Sequence, residues 1–165
     1  LTAADVTRIT VETFHEAIRL ATATPQTTEE AQYSTSFPCA VALVRGGITP
    51  ADIADTALRD PEILRLSQSL VMTEDAAANA AFPTTRLARG TLTMTDGRSL
   101  RSDWMQPRWD HTAAPTPDEL ATKFHAYAAP VLGDALTRDI DAAIDGLDSA
   151  PLTTLTDLLF QPIKS

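Results

Sequence analysis

The sequence has few of the residues on which disulfides, metal sites and membrane spans depend. It contains one cysteine, Cys39, so no disulfide can form within the chain, and this fits a reducing compartment. The three histidines, His15, His111 and His125, stand too far apart for ligand spacing, so no metal site is predicted. The longest apolar run, residues 39–44, is too short to cross a membrane. We expect a cytoplasmic protein that needs no cofactor.

Basic residues are outnumbered by acidic ones, and aromatic residues are scarce. Lys and Arg total 13 against 22 Asp and Glu, which gives a net charge of −9. This balance argues against nonspecific binding of nucleic acid, which needs a basic face. An anionic ligand could bind only where a few Arg or Lys are concentrated. Aromatics make up 5% of the chain, so its core must consist largely of Ala, Leu, Val and Ile.

The common catalytic motifs are missing as well. Gly46 and Gly47 follow an apolar helical run, so they indicate the end of a helix and not a phosphate-binding loop. No G-x-S-x-G elbow occurs, and Cys39 has no neighbouring base in the sequence. Cys39 is therefore predicted to be a small buried apolar residue.

Alternation and turn residues predict a sheet with one hairpin. Residues 7–13 alternate with period two and are β-branched, which is typical of a half-buried strand. Residues 87–104 alternate again around Asp96-Gly97, a pair that favours a tight hairpin turn. A further strand is predicted near residues 70–72. Residues 76–81 suit either a loop or a helical turn.

Capping residues and apolar periodicity predict helices on both sides of this hairpin. Thr49-Pro50, Asp60-Pro61 and Thr116-Pro117 each combine a capping side chain with proline at the first helical position. The predicted helices cover residues 16–23, 31–46, 50–58, 61–68, 117–129, 133–146 and 151–160. The fold class is therefore α+β, with a mixed or antiparallel sheet covered by helices on one face. An α/β domain over 1–115 precedes an all-helical tail over 116–165.

Two groups of residues are candidates for binding, and each also has a structural explanation. Arginines 86, 89, 98, 101 and 108 surround the hairpin, where they could hold carboxylates or form the solvated outer face of a sheet. The stretch 30–47, EAQYSTSFPCAVALVRGG, starts a buried helix. Its first turn could attract an anion, with help from Tyr33 and Ser34, or could serve only capping and packing.

Several stretches together resemble the MmgE/PrpD family. EAQYSTSFPCAVALVRGG is similar to that family's E-A-x-F-S-x-x-Y segment followed by an apolar helix and a glycine. GTLTMTDGRSL resembles its hairpin, PTPDELATKFHAYAAPVLGDA its closing pattern, and LDSAPLTTLTDLL its leucine-rich C-terminal helix. The order and spacing agree over residues 5 to 160. Each motif is weak alone, but the four in sequence are fairly specific.

The resemblance implies a fold position and an activity. The family includes 2-methylcitrate dehydratase, cis-aconitate decarboxylase and iminodisuccinate epimerase, which act on small polycarboxylates without a metal or iron–sulfur cluster. Members have a large helical domain and a smaller α/β lid, with the site between them, and dimers are common. By this resemblance the chain is most of the lid plus the C-terminal helices. A homodimer of the full-length protein is expected.

The resemblance also implies which residues meet the substrate. The family's principal catalytic histidines and lysines fall upstream of residue 1, so the chain alone is expected to be inactive. Phe37, Tyr33 and Ser34 are expected nearest the ligand, at a helix start that faces an open groove. The family commonly has a tyrosine where Phe37 stands, and a phenylalanine cannot donate its hydrogen bond. The loop 107–115 also departs from the family pattern, so the particular substrate stays open.

Two hypotheses from different classes therefore remain. The chain is the C-terminal part of a lyase or isomerase of the MmgE/PrpD type, and it supplies the lid wall of a polycarboxylate site. Alternatively, it is a noncatalytic binding or assembly module that docks a partner through residues 117–160.

Overall fold

The computed structural model describes residues 2–54 and 56–162, which divide into two compact units. Unit 1 covers Leu1–Pro107 and contains the sheet, and unit 2 covers Arg108–Ser165 and is helical. This confirms the α+β class and the helical C-terminal end. The strands are β1 (Val6–Thr13), β2 (Leu70–Glu74), β3 (Ala88–Met94) and β4 (Ser99–Arg101).

Five helices accompany the sheet in the described part of unit 1. They are α1 (His15–Ile18), α2 (Thr28–Gln32), α3 (Ser36–Arg45), α4 (Pro61–Ser69) and α5 (Ala76–Ala81). Short 3₁₀ turns cover Ala3–Asp5, Pro50–Ile53 and Ala57–Arg59.

The sheet is mixed, with strand order β2-β1-β3-β4. β1 runs parallel to β2, and its antiparallel neighbour β3 continues into β4 through the predicted hairpin. Gly97 in that turn has a φ of 86°, a left-handed conformation that glycine adopts without a Cβ clash. The hairpin prediction is confirmed.

Helices cover one face of the sheet. Along β1 the buried residues Ile9, Val11 and Thr13 alternate with more exposed ones, as expected for a strand with one covered face. Ile9 and Val11 belong to one core cluster with the helical side chains Phe37 and Leu66, both fully buried. The opposite face of β1 is polar.

The helix predicted over 16–23 is wrong beyond its first turn, because the carbonyl groups of this segment bind other parts of unit 1. The Leu20 carbonyl accepts the Thr35 amide at 2.6 Å, and the Thr22 carbonyl accepts the Ser34 hydroxyl at 2.5 Å. The Ala23 carbonyl accepts the Ser67 hydroxyl at 2.7 Å. Backbone and side-chain donors from other segments therefore replace the helical hydrogen bonds here.

The helix predicted over 31–46 is divided into α2 and α3. Residues 33–35 separate them. The Ser34 hydroxyl donates its hydrogen to a carbonyl outside both helices, and its oxygen accepts an amide in the first turn of α3. The Phe37 amide donates to Ser34 Oγ at 3.0 Å. α3 then ends at Gly46, whose φ of 79° is left-handed, as the glycine pair predicted.

The helix predicted over 50–58 is instead two 3₁₀ turns. Thr49 and Asp52 cap the first turn reciprocally, with the Thr49 amide 2.8 Å from an Asp52 carboxylate oxygen. The chain leaves this turn at Ala54, which has extended backbone. The next helix begins as predicted, since Asp60 accepts the amides of Glu62 and Ile63 at the start of α4.

The three helices predicted for the C-terminal part are confirmed in unit 2. They are α6 (Pro117–Leu132), α7 (Asp134–Asp145) and α8 (Leu152–Leu159). Thr116 and Glu119 form a capping box at the start of α6. α6 packs against α7, and His125 Nε2 lies 2.7 Å from Asp141 Oδ2 between them.

Candidate functional site

An apolar pocket opens in unit 1 at the C-terminal end of β1. It has a volume of about 340 Å³, which lies at the lower end of the range for small-molecule sites. We call it the Arg86 pocket, and it is lined by Val11, Thr13, Phe14, Ala17, Thr35, Met72, Arg86, Leu87, Ala88, Met105, Gln106 and Pro107. Most of these side chains are apolar, so the pocket suits a hydrocarbon group better than a wholly charged molecule.

Strand register explains why distant residues meet there. Val11 pairs with Met72 of β2, and Thr13 pairs with Ala88 of β3, so these four residues share the sheet face that helices cover. The Thr13 hydroxyl donates to the Leu87 carbonyl at 2.9 Å, which holds the start of β3 against the end of β1. β1, β2 and β3 together therefore form the floor of the pocket.

The walls of the pocket come from the segments that flank this floor. Phe14 stacks on Phe82, with ring centroids 4.5 Å apart and an interplanar angle of 13°. Met105 pairs with Ala88 by two backbone hydrogen bonds, of 2.8 and 3.0 Å, in an isolated bridge beyond β4. Met105 is 61% exposed, so an apolar side chain stands at the pocket in contact with solvent.

Four of the lining residues have polar side chains, namely Arg86, Thr13, Thr35 and Gln106. The Thr13 hydroxyl is engaged with the Leu87 carbonyl. The pocket therefore combines a largely apolar lining with a few polar residues.

The three residues expected at the ligand lie in different environments. Phe37 is fully buried in the unit 1 core, and Ser34 is 7% exposed with its hydroxyl engaged at both ends. Tyr33 is 72% exposed. The expectation that this helix start faces an open groove is wrong for Ser36 and Phe37, which are sealed, because the Ser34 cap turns the first turn of α3 inward.

One carboxylate organises the polar face of the sheet. Arg89 donates to Glu12 through Nε at 3.1 Å and Nη2 at 2.8 Å, and Arg101 Nη2 lies 2.6 and 2.8 Å from the two Glu12 oxygens. The Arg89 guanidinium also lies 4.2 Å from the centre of the Trp104 ring. Arg89, followed by Arg101, lowers the pKa of Glu12 to about 2.

The arginines around the hairpin therefore serve different partners. Arg98 binds Asp96 within the turn at 2.7 Å, and Arg108 binds Glu119 in unit 2 at 2.7 Å. Arg89 and Arg101 neutralise Glu12 and brace three strands. Arg86 is the member of the group that lines the pocket.

A histidine–carboxylate pair lies at the edge of unit 1. His15 Nδ1 is 2.8 Å from Glu74 Oε1, and the Asn79 amide donates to the other Glu74 oxygen at 3.1 Å. The Asn79 carbonyl oxygen accepts the His15 backbone amide at 2.7 Å. Glu74 raises the pKa of His15 by its hydrogen bond and its charge. This pair joins β2 and α5 to the start of α1.

In unit 2, Trp109 stands between two cations. Its ring centre is 5.7 Å from the Arg108 guanidinium carbon and 5.0 Å from Lys123 Nζ. Its φ of 62° is left-handed, which is uncommon for a residue with a bulky side chain. His111 Nδ1 lies 3.1 Å from an Asp110 carboxylate oxygen.

The thiol and the metal-ligating types of side chain complete the reactive groups of the chain. Cys39 is partly buried, and burial raises the pKa of its thiol, so it carries less of the nucleophilic thiolate. Within residues 2–54 and 56–162, no three His, Cys, Asp or Glu side chains are grouped to hold a metal ion. In the same described ranges, no helix has the length and apolar character to cross a bilayer.

Sequence reasoning missed the Arg86 pocket. Its lining comes from β1, α1, the segment before α3, β2 and the two ends of the β3–β4 ribbon, which only strand pairing brings together. The available signals were the arginine group around the hairpin and the apolar positions of β1 and β2. Neither indicates which arginine reaches a pocket.

These features define an α+β domain with a one-sided mixed sheet, a small pocket at a strand end and a helical C-terminal unit. The sequence profile of the MmgE/PrpD C-terminal domain matches residues 1–148. The chain therefore belongs to the MmgE/PrpD family, whose members are typically enzymes of the dehydratase type. A search of curated proteins gave no significant match.

Proposed function

We propose that this chain is the C-terminal part of a cofactor-independent lyase or isomerase that acts on small polycarboxylates. The observation that carries the proposal is the family match over residues 1–148. The nearest reaction is dehydration of the 2-methylcitrate type. In it, a base removes a proton from the carbon next to a carboxylate, the electron pair forms a double bond, and hydroxide leaves with a proton as water.

In this proposal the chain binds and orients the substrate. Arg86 lines the pocket at the end of β1, and its positive charge is local to a chain whose net charge is −9. The groups that move protons are supplied by sequence outside this chain, as the family resemblance implies. The chain forms the lid wall of the site in a cytoplasmic homodimer.

Of the three residues expected at the ligand, we propose that Tyr33 makes the contact. Its side chain is exposed, whereas Phe37 is enclosed in the core and Ser34 is occupied with capping. The Tyr33 hydroxyl can donate the hydrogen bond that Phe37 cannot.

Turnover by the full-length protein tests the proposal. The protein is incubated with 2-methylcitrate, cis-aconitate or iminodisuccinate, and substrate and product are followed by chromatography. We expect conversion of at least one of them, and roughly a two- to tenfold loss of kcat/KM in Tyr33→Phe if one neutral hydrogen bond is lost. Ser99→Ala, an exposed change on β4, serves as the control. Absence of turnover with all three polycarboxylates would overturn the proposal.

One observation favours the second hypothesis, an assembly module. Unit 2 exposes large apolar side chains on its helices, including Leu120, Tyr127 and Val131 on α6 and Leu152 and Leu159 on α8. Light scattering after size exclusion tests this hypothesis on the full-length protein. A stable complex together with no polycarboxylate turnover would favour the module, whereas turnover would favour the enzyme.

A further inference from the structure

We propose that the Arg86 pocket is a specificity pocket that accepts an unbranched alkyl substituent, longer than methyl, on a polycarboxylate. The carboxylates of the ligand stay outside the pocket. This inference rests on the proposed function and deepens it, because it names which polycarboxylates the protein selects. The pocket holds only the uncharged part of the ligand, so the Arg86 guanidinium has no role in this binding.

The surface that the pocket offers to a ligand is almost wholly apolar. A carboxylate placed against it would lose its water without gaining hydrogen bonds in exchange, which is costly. The Thr13 hydroxyl, one of the polar groups in the lining, already donates to the Leu87 carbonyl at 2.9 Å. The pocket therefore favours hydrocarbon over carboxylate. Its apolar lining residues are Val11, Phe14, Ala17, Met72, Leu87, Ala88, Met105 and Pro107.

The size of the pocket decides how much hydrocarbon it accepts. Its volume is about 340 Å³. A methyl group is about as large as a water molecule, whose share of liquid volume is about 30 Å³, so a methyl group alone leaves most of the pocket unfilled. A longer chain fills more of it, and each methylene group buried against the lining strengthens binding by about fourfold. Met72 and Met105 have flexible, polarizable side chains that adapt to such a chain.

The pocket lies beside the residue that we propose to contact the substrate. Thr35 lines the pocket, and Tyr33, which is 72% exposed, stands two residues earlier in the chain. Their Cα atoms are therefore no more than about 7 Å apart. The pocket is open to solvent, since Met105 in its lining is 61% exposed. A ligand can thus place its alkyl group inside the pocket and keep its carboxylates outside, on the side of the Tyr33 hydroxyl.

Calorimetric titration of the full-length protein with succinate, methylsuccinate, ethylsuccinate, butylsuccinate and hexylsuccinate tests this inference. These dicarboxylates lack the hydroxyl group that dehydration expels, so binding is measured without turnover. We expect affinity to rise by about fourfold for each added methylene and to level off once the chain outgrows the pocket. If butylsuccinate and hexylsuccinate bind no more tightly than methylsuccinate, the inference is wrong.

Two variants locate the alkyl group, each with a matched control. Ala17→Leu reduces the volume of the pocket without a change in charge and should remove most of the gain from longer chains. Ala77→Leu on α5, an exposed position outside the pocket, should retain that gain. Met105→Trp adds bulk at a lining position that is open to solvent and should also reduce the gain. Leu100→Trp on β4, exposed and outside this pocket, should not.

Circular dichroism establishes which of these variants are folded. A gain with chain length that survives unaltered in a folded pocket variant would refute the location. The exposed position of Met105 makes its replacement tolerable to the fold, so the location is tested even where Ala17→Leu does not fold.

The inference and the proposed function can fail separately. If the protein converts polycarboxylates but its affinity does not rise with the length of the alkyl group, the inference is wrong and the proposed function stands. If the affinity rises in this way without any turnover of 2-methylcitrate, cis-aconitate or iminodisuccinate, the pocket assignment stands and the proposed reaction is wrong.

Discussion

Arg89 forms a two-pronged ion pair with Glu12 across two neighbouring strands, with Nε–Oε2 and Nη2–Oε1 distances of 3.1 and 2.8 Å. The two residues are direct register partners on β1 and β3. Arg101 of β4 binds the same carboxylate, so one acidic side chain joins three of the four strands. The open face of the sheet is thus braced by charge, while the other face is held by apolar packing.

This ion pair predicts an acid-dependent loss of stability. Because the pKa of Glu12 is lowered from 4.5 to about 2, its ionised form stabilises the fold above pH 4.5. That contribution is lost as the pH falls through this interval, since the carboxylate becomes protonated. Urea unfolding measured between about pH 2 and about pH 7 should show a steeper fall for the native protein than for Glu12→Gln.

Two arginine variants complete this test. Arg89→Gln should weaken the pH dependence, because Arg89 is the largest cause of the lowered pKa. Arg98→Gln, which removes an exposed arginine bound to Asp96, should leave the pH dependence of stability unchanged. Identical pH profiles for the native protein and Glu12→Gln would contradict the role of this pair.

Replacement of Phe37 should damage the fold, whereas replacement of Tyr33 should not. Phe37→Ala removes a fully buried ring and is expected to cost about 3–5 kcal/mol of unfolding free energy. Tyr33→Ala removes a side chain that is 72% exposed and should change stability by less than about 0.5 kcal/mol. Urea denaturation with a shared m-value measures both. A mild effect of Phe37→Ala would mean that the ring is not part of the core.

Loss of the Ser34 hydroxyl should loosen the start of α3. Ser34 Oγ accepts the Phe37 amide and donates to the Thr22 carbonyl, so Ser34→Ala removes a helix cap and a long-range hydrogen bond. A cost of about 0.5–2 kcal/mol is expected, together with faster hydrogen exchange at the Phe37 amide. Ser99→Ala on β4 is the matched control. Unchanged exchange at Phe37 in Ser34→Ala would exclude the capping role.

His15 should titrate above its ordinary pKa. Glu74 raises the pKa of His15 above 6.5, so the pair stabilises the fold below that pH and its contribution is lost as the pH rises through the higher value. NMR titration of the imidazole resonances measures the shift directly. Glu74→Gln should return the His15 pKa toward 6.5 and flatten this part of the stability profile. A His15 pKa that is the same in both proteins would contradict the interaction between His15 and Glu74.

Local sequence patterns predicted most of the regular elements because local chemistry determines them. Period-two alternation located β1, and Asp96-Gly97 located the hairpin turn, since few other pairs accept that backbone. Proline after Asp60 and after Thr116 located the starts of α4 and α6. The helix predicted over 16–23 is wrong beyond its first turn because its carbonyl groups accept hydrogen bonds from other segments, which no local pattern reveals.

The candidate site was less predictable than the fold. The sequence indicated that the helix start at Ser34 and Phe37 serves capping, packing or binding. The hydrogen bond to Ser34 shows the capping role, and the burial of Phe37 shows the packing role. The five arginines near the hairpin were recognised as a group, but the sequence did not show that four of them bind Glu12, Asp96 and Glu119. Pairing of that kind depends on strand register and on helix packing.

The amino-acid sequence alone determined the α+β class, the hairpin, the main helix starts and the MmgE/PrpD family, because each follows from periodicity, capping or the order of motifs along the chain. Tertiary structure decided which side chains became buried, which arginine lines the pocket, and that Arg89 and Arg101 share Glu12. The physical reason is that burial and ion pairing depend on three-dimensional distance. Residues such as Val11, Met72 and Arg86 line one pocket only after parallel and antiparallel strands have aligned.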